Sequence, residues 1–577
     1  MPVKKITKTK KKKNKQSLFL QLINRIKNIK SQEILEFILA NKILILVVGL
    51  YVLLMTSTIR WGLPNNSHPF PYFMDESHQV QAVRTVFKYG TSNYPHQENG
   101  PMFHYIISGF LIAPFYVVGL INPFAIKSAI ASPDLQQAIY VAFRGTIILF
   151  GALSIILVWI LAKILKINEK LSILLFSLTP VFLIVSGYFK YDVPFMFWTL
   201  LSIVLLLKYS KNQNSLTYLI AGITSAMALS TKITGIPLFV IYIFSFFYFT
   251  HDFFKKIWTL VKGILVYALV FIFLGIPDII FEGRSMSEYL YYNIILNPQN
   301  DKTLLFGVSH LEYTFAQLIP TIYGHFLAGI VYVSVIYLVI KVIKYILNKK
   351  FNNIKEEAYI LLVLAIFSVS LIPLWVIAAN RALILLPFLI CVCLIFIRDL
   401  CNNLIPDFKK LLVVVIVFGM IMQVFETYSW VGLKYIEAPQ VTASKWLVQN
   451  VPHGETLGIE NIPVYEMLPD LVVKEFYEKQ YNIQKKYNFN YEIIGPDSKK
   501  LPRVIVLSNA EFEDKYRSTS PKKELFENMK KQNYKLVASF SPPLDYHKLF
   551  TTDINFVMVG MSGEPLNISV YVKSKKY

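Results

Sequence analysis

The feature that most constrains this chain is the recurrence of apolar stretches about twenty residues long. Coiled as a helix, such a run crosses the roughly 30 Å hydrocarbon core of a bilayer. After a first run near 40–59, others lie near 102–121, 138–162, 171–187, 194–208, 216–231, 235–250, 258–277, 319–340, 357–378, 382–397 and 411–429. Charged residues are 16% of the 577, against 54% hydrophobic, whereas an average soluble protein is about 25% charged. A soluble enzyme, a fibrous protein and a disordered chain are excluded. The expected fold class is an all-α polytopic membrane protein with one soluble tail.

A net charge of +22 raises the question of a nucleic-acid partner. Its distribution answers no. Eight of the first fifteen residues are lysine, and most other positive clusters sit at the ends of apolar runs, which is how charge holds loops in the cytoplasm and near anionic lipid. In 17–37, Leu18, Leu22, Ile26 and Ile29 recur at helical spacing with Arg25, Lys27 and Lys30 between them. That pattern predicts a helix lying on the cytoplasmic membrane surface rather than a cleavable signal peptide.

Sidedness turns on run 102–121. If it crosses, the lysines at 163–170, 208–211, 255–262, 341–350 and 409–410 all face outward. If it lies at the outer interface, they share one side with the basic N-terminus, as charge asymmetry demands. Gly109, Pro114 and His104 interrupt the run and fit the second choice. The expectation is therefore about eleven spans, with the N-terminus cytoplasmic and the tail outside. The predicted divisions are a basic segment 1–37, a membrane domain 38–430 with long outer loops 60–137 and 278–318, and an extracytoplasmic domain 431–577. Cys391, Cys393 and Cys401 all precede the tail, so no disulfide framework or thiol metal site is expected there.

Polar chemistry collects on the predicted outer side. Asp75 and Glu76 follow a proline-rich stretch, and His96 and Glu98 lie further on. Arg144 stands near one end of the run 138–162, Lys190 and Asp192 in the turn before 194–208, Lys232 after 216–231, and Asn380-Arg381 before 382–397. Each has a plain structural alternative. Asp75-Glu76 suits a helix N-terminus, Arg144 can snorkel to headgroups, Lys232 and Arg381 can be interfacial anchors, Asp192 can pair with Lys190, and His96 can be solvated. Taken together, carboxylates and cations converging from several spans suggest a site that holds an anion and moves a proton, since ionisable groups at membrane depth usually face a cavity or partner. A phosphate-linked lipid substrate fits. A departing monophosphate needs cations but no protonation, so one carboxylate acting as general base on an incoming hydroxyl suffices. No carboxylate pair has the spacing of a dedicated metal site, so chemistry without a metal or other cofactor is expected.

The residues resemble glycosyltransferases of the GT-C fold, and most closely family 39, the protein O-mannosyltransferases with their bacterial and archaeal relatives and the neighbouring aminoarabinose transferases. Asp75-Glu76 is similar to the family's acidic pair in the first outer loop. Glu98-Asn99-Gly100-Pro101-Met102 resembles its acid-x-Pro-Pro-Leu segment with Gly100 in place of the first proline. Phe143-Arg144 with Gly151, Tyr191-Asp192-Val193-Pro194, Ala228-Leu229-Ser230-Thr231-Lys232 and Asn380-Arg381-Ala382-Leu383 with Pro387 resemble further short motifs, in the family's order. The resemblance covers about 38–400. It implies a sugar donor on a polyprenyl monophosphate and transfer with inversion. It also implies Asp75 as catalytic base and Arg144 as a donor-phosphate ligand. With it come the expectations that Glu76 assists, that Lys232 and Arg381 share the phosphate, and that His96, Glu98, Lys190 and Asp192 line the substrate site.

The tail predicts a small α/β domain. Its expected helices are Val441–Val448, with Thr442 as a candidate cap, and Ser520–Gln532; its expected strands are Thr456–Glu460, Arg503–Leu507, Lys535–Phe540 and Phe556–Gly560. The functional expectation is a membrane glycosyltransferase, in a prokaryotic cell membrane, moving a monosaccharide to an extracytoplasmic protein, lipid or glycan acceptor. Two alternatives stand beside it: a metal-dependent oligosaccharyl- or polymer-transferring relative, and a lipid-linked sugar flippase or transporter.

Overall fold

A computed structural model describes residues 39–89, 101–124, 133–277, 280, 319–371, 379–460, 468–480, 482–483, 486–508, 521–541 and 567–574. The amphipathic segment 17–37, His96, Glu98, most of the loop 278–318 and the expected strand at 556–560 lie outside those residues. In chain order the membrane part comprises α1 (Lys42–Ser57), α2 (Met74–Tyr89), α3 (Phe103–Val117), α4 (Pro133–Ile164), α5 (Glu169–Ser177), α6 (Pro180–Val185), α7 (Asp192–Asn212), α8 (Ser215–Thr231), α9 (Ile236–Phe249) and α10 (Phe253–Val270). It continues with α11 (Ile319–Tyr323), α12 (His325–Leu347), α13 (Lys355–Leu371), α14 (Ala379–Ala382), α15 (Leu386–Asn403) and α16 (Pro406–Gly432).

Among the described residues six helical stretches are long and apolar enough to cross a membrane: Gln136–Ile164, Asp192–Asn212, Lys256–Gly275, His325–Leu347, Asn380–Asn403 and Pro406–Tyr435. Four shorter apolar helices accompany them, at Lys42–Ser57, Phe103–Val117, Ser215–Thr231 and Ile233–Phe249. This is an integral membrane protein. Asp192–Asn212 and Asn380–Asn403 are 72% buried inside it, against 11% for Pro406–Tyr435, so α7 and α15 form the centre and α16 turns its apolar side chains outward.

Two apolar runs expected as continuous spans are broken. The run 171–187 divides at Thr179-Pro180 into α5 and α6, because proline has no N–H to continue the ladder. The run 319–340 divides at Gly324, whose φ of +91° leaves the helical region. Carbonyls exposed by such breaks need partners inside a bilayer, and α16 supplies them. Gln423 Nε2 donates to Leu178 O at 3.2 Å and to Tyr323 O at 2.7 Å, Thr427 donates to Leu178 O, and the Glu426 carboxylate accepts the His325 N–H at 3.0 Å. A Cβ on Gly324 would lie 2.3 Å from Gln423 Oε1 and push aside the side chain that caps the break.

At the other end of α15 from Asn380, the positive groups expected in cytoplasmic loops are partly paired. Lys341 Nζ lies 2.6 Å from both Glu357 and Asp399, and Arg398 bridges the same two carboxylates at 2.5 and 2.9 Å. The cluster ties α12, α13 and α15 together.

The tail contains α17 (Pro439–Asn450), α18 (Asp470–Gln480), α19 (Pro521–Lys531) and strands β1 (Thr456–Ile459), β2 (Asn490–Ile493), β3 (Val504–Ser508), β4 (Tyr534–Phe540) and β5 (Ile568–Lys573). The sheet order is β2-β1-β3-β5-β4, with β2, β1 and β3 parallel and β5 antiparallel to both β3 and β4. The expected helices and three of the four strands occur within a few residues of their predicted bounds. Thr442 is not the cap of α17. The helix starts earlier, at Pro439 after Ala438, and the Thr442 hydroxyl donates to Pro439 O at 3.0 Å.

Candidate active site

The site is built around the first turn of α2, whose placement begins with the segment after α1. Gly62, at φ +63°, lets the chain double back so that the Tyr72 N–H reaches Gly62 O at 2.9 Å. A Cβ there would lie 2.8 Å from the Tyr72 ring. Three residues later come the two carboxylates, and their surroundings differ sharply.

Glu76 is fully buried. Its Oε1 accepts Arg144 Nε at 2.8 Å and the Phe189 N–H at 2.9 Å, and its Oε2 accepts Arg144 Nη2 at 2.7 Å. Arg144, 1% exposed, also donates through Nη1 to Ile59 O at 2.8 Å and Trp61 O at 2.7 Å. One bidentate pair thus fastens α2, α4, the end of α1 and the turn before α7. Asp75 keeps a side chain 43% exposed and makes one close ion pair, with Lys190 Nζ at 2.7 Å. Lys190 lies 4.8 Å from the centre of the Phe73 ring, which packs on Tyr188.

A second cluster forms where α7, α8 and α14 meet. Asp192 opens α7; its Oδ1 accepts Lys232 Nζ at 2.5 Å and its Oδ2 accepts Asn380 Nδ2 at 3.2 Å. Lys232 ends α8 in an extended conformation and lies 4.9 Å from the Tyr191 ring centre. Arg381 follows Asn380 on α14.

The clusters sense one another electrostatically. The Lys190 ammonium holds the Asp75 carboxyl below its usual range against the opposing effect of burial, and Lys232 adds to that from further away. Burial disfavours the Lys190 charge, but Asp75 first and Asp192 next outweigh it and raise its pKa. Burial pushes the Tyr191 hydroxyl up to about 12. Of the nine residues expected at the site, the structure therefore brings Asp75, Glu76, Arg144, Lys190, Asp192 and Lys232 into two neighbouring clusters, with Arg381 flanking the second. Among the described residues no three His, Cys, Asp or Glu side chains gather into a set able to hold a metal ion.

Two neighbours escaped sequence reasoning. Lys434, just past the last apolar helix, reaches back to within 4.7 Å of the Tyr188 ring centre and 5.7 Å of Trp61. His104 is completely buried beside Phe189, with ring centroids 4.8 Å apart. Only Lys434's place as a lone cation just past the last apolar run hinted at the first, and a histidine in an apolar run gave no direction for the second.

Residues 76–286 match the family described as dolichyl-phosphate-mannose-protein mannosyltransferase. This stretch, somewhat over a third of the chain, is similar to that family. It contains Glu76, Arg144, Lys190, Asp192 and Lys232, while Asp75 immediately precedes it and Arg381 lies beyond it. No curated protein matches the chain by sequence. Among solved structures, the chain is similar to ArnT from Cupriavidus metallidurans bound to undecaprenyl phosphate, at 12% identity and a TM-score of 0.44, covering 92% of this chain and 98% of that one. It is also similar to the oligosaccharyltransferase AglB from Archaeoglobus fulgidus in complex with an inhibitory peptide and a dolichol-phosphate, at 13% identity and a TM-score of 0.43, covering 80% of this chain and 61% of that one. The apo form of the Archaeoglobus fulgidus oligosaccharyltransferase is matched at 14% identity and a TM-score of 0.40, over 71% of this chain and 58% of that one. The chain thus spans about three fifths of the length of these oligosaccharyltransferases.

Proposed function

We propose that this protein is a membrane glycosyltransferase that moves a monosaccharide from a polyprenyl-phosphate donor to an acceptor hydroxyl on the extracytoplasmic side, with inversion and without a metal. The observation that carries the reading is the contrast within one acidic pair, on the edge of the stretch similar to the mannosyltransferase family. Glu76 is saturated by Arg144 and Phe189, whereas Asp75 is accessible, ionised and paired to one lysine. Asp75 takes the proton from the acceptor hydroxyl as its oxygen bonds to the anomeric carbon. The carbon–oxygen bond to phosphate breaks, and the lipid phosphate leaves as an anion.

Lys232 and Arg381 are the donor-phosphate cations in this reading, with Lys190 and Asp192 between phosphate and base. Arg144 is already engaged in four hydrogen bonds, so its part is to hold Glu76, and Glu76 in turn holds the turn of α2. The division into a basic segment 1–37, a membrane domain 38–430 and an outer domain 431–577 belongs to the same proposal. The test is to incubate the purified protein with polyprenyl-phosphate sugars and measure release of the lipid phosphate. Release that persists in excess chelator is expected; release abolished by chelator and restored by a divalent ion favours the metal-dependent alternative.

Two further expectations follow. Because Asp75 must be ionised to accept a proton and Lys190 keeps it so, Lys190→Met raises the Asp75 pKa, and the acid limb of the turnover profile moves to higher pH. An acid limb at the wild-type position would remove the Lys190–Asp75 coupling. For topology, Tyr345→Cys, in the basic cytoplasmic end of α12, stays unreactive toward an impermeant thiol reagent in intact cells and reacts after permeabilisation.

A further inference from the structure

The segment that carries Asp75 is fastened to the C-terminal domain as well as to the membrane helices. Phe70 is buried in the hydrophobic cluster of that domain with Leu447, Val472 and Val473, its ring edge-on to Tyr477 at 4.9 Å. Tyr72 donates its hydroxyl to the Asp470 carboxylate, at 3.2 and 3.3 Å from the two oxygens. His68 Nε2 lies 3.9 Å from the same carboxylate, and its ring is 4.6 Å from Tyr72. Asp470, 2% exposed, is the first residue of α18.

Tyr72 is engaged on the other side too. Its ring packs edge-on to Trp61 at 5.2 Å, and Trp61 O is one of the acceptors of the Arg144 guanidinium that holds Glu76. A chain of contacts therefore runs from Asp470 through Tyr72 and Trp61 to the Arg144–Glu76 pair, and Asp75 lies three residues beyond Tyr72. A buried carboxylate left without its hydrogen bonds is costly, so Asp470 resists any shift of Tyr72.

We propose that the C-terminal domain is a clamp on the catalytic segment, in which Asp470, acting through Tyr72 and anchored by Phe70, positions Asp75 against Lys190. These three are positioning residues. The consequence for turnover rests on the reading of Asp75 as the base; the clamp itself does not.

The experiment compares full-length wild type with Tyr72→Phe, Asp470→Leu and Asp470→Asn in detergent, by hydrogen exchange of the α2 amides and by the pH profile of turnover. Removing a hydrogen bond to a charged partner is expected to speed α2 exchange about tenfold in Tyr72→Phe and Asp470→Leu, with exchange elsewhere in the membrane domain unchanged. Asp470→Asn, which can still accept from Tyr72, recovers most of the protection. Turnover falls at unchanged donor KM, and the acid limb moves to higher pH as Asp75 loosens from Lys190. Faster α2 exchange with a stationary acid limb upholds the clamp and removes Asp75 as the base. Wild-type α2 exchange in the folded variants overturns the clamp, as does acceleration spread evenly over all helices, which marks a domain that only adds stability. Phe70→Leu, which trims the anchor without touching a polar group, supplies the same readout should Asp470→Leu fail to fold.

Discussion

Asp75→Asn turns over a saturating polyprenyl-phosphate sugar about 10²–10⁴-fold more slowly than the wild type, the usual size of a general-base contribution. The substitution keeps the volume and the position next to Lys190 but removes the oxygen that accepts the proton. Donor affinity is largely kept, because the phosphate is assigned to Lys232 and Arg381 on the neighbouring cluster. The two arms separate cleanly in a single-turnover assay combined with donor binding. Wild-type turnover in Asp75→Asn would pass the role to Asp192, whose carboxylate is otherwise committed to Lys232 and Asn380.

The second large effect is on the fold. Glu76 and Arg144 are a fully buried bidentate pair, and removing one member of such a pair leaves an uncompensated charge, costing about 3–5 kcal/mol. Arg144→Ala and Glu76→Gln are each expected to lower the melting temperature in detergent substantially. The double variant Arg144→Met/Glu76→Gln is expected to recover much of the loss, because no isolated charge remains. Glu76→Gln is expected to slow turnover less than Asp75→Asn in the folded fraction. The opposite pattern, an Arg144→Ala protein that melts like the wild type but binds donor ten- to a hundredfold more weakly, returns Arg144 to direct contact with the phosphate.

A large part of this was legible in the residues. A run of twenty apolar residues has one use in a bilayer, and its boundaries are set by composition alone, which is why α4, α7, α15 and α16 lie close to where they were expected. The acidic pair and the cations at the ends of the runs stood out because an ionisable group beside an apolar run is conspicuous whatever its partner. In the tail, β1, β3, β4, α17 and α19 announced themselves by local pattern. β2 gave no such signal, since Asn490–Ile493 is four residues long and half polar, whereas Ile568–Lys573 alternates apolar and polar residues and carries a strand pattern that the expectation above lacked.

Partnership was the part that local pattern could not carry. Asp75 and Glu76 are adjacent and chemically alike, and only the family resemblance gave them different roles; the approach of Arg144 and the Phe189 N–H, both far along the chain, buries one and leaves the other open. Asp192 could have paired with Lys190, its neighbour but one, and instead bonds Lys232, forty residues on. Tyr72 and Asp470 are separated by 398 positions, and the breaks at Thr179 and Gly324 are tolerated because Gln423 and Thr427 arrive from another helix. Sequence by itself determined which segments are apolar enough to enter a bilayer and which residue types gather at their ends, because hydropathy is a property of each residue. Which carboxylate is buried in an ion pair and which stays accessible was decided by tertiary structure alone, because an ion pair depends on what the folded chain brings within about 3 Å.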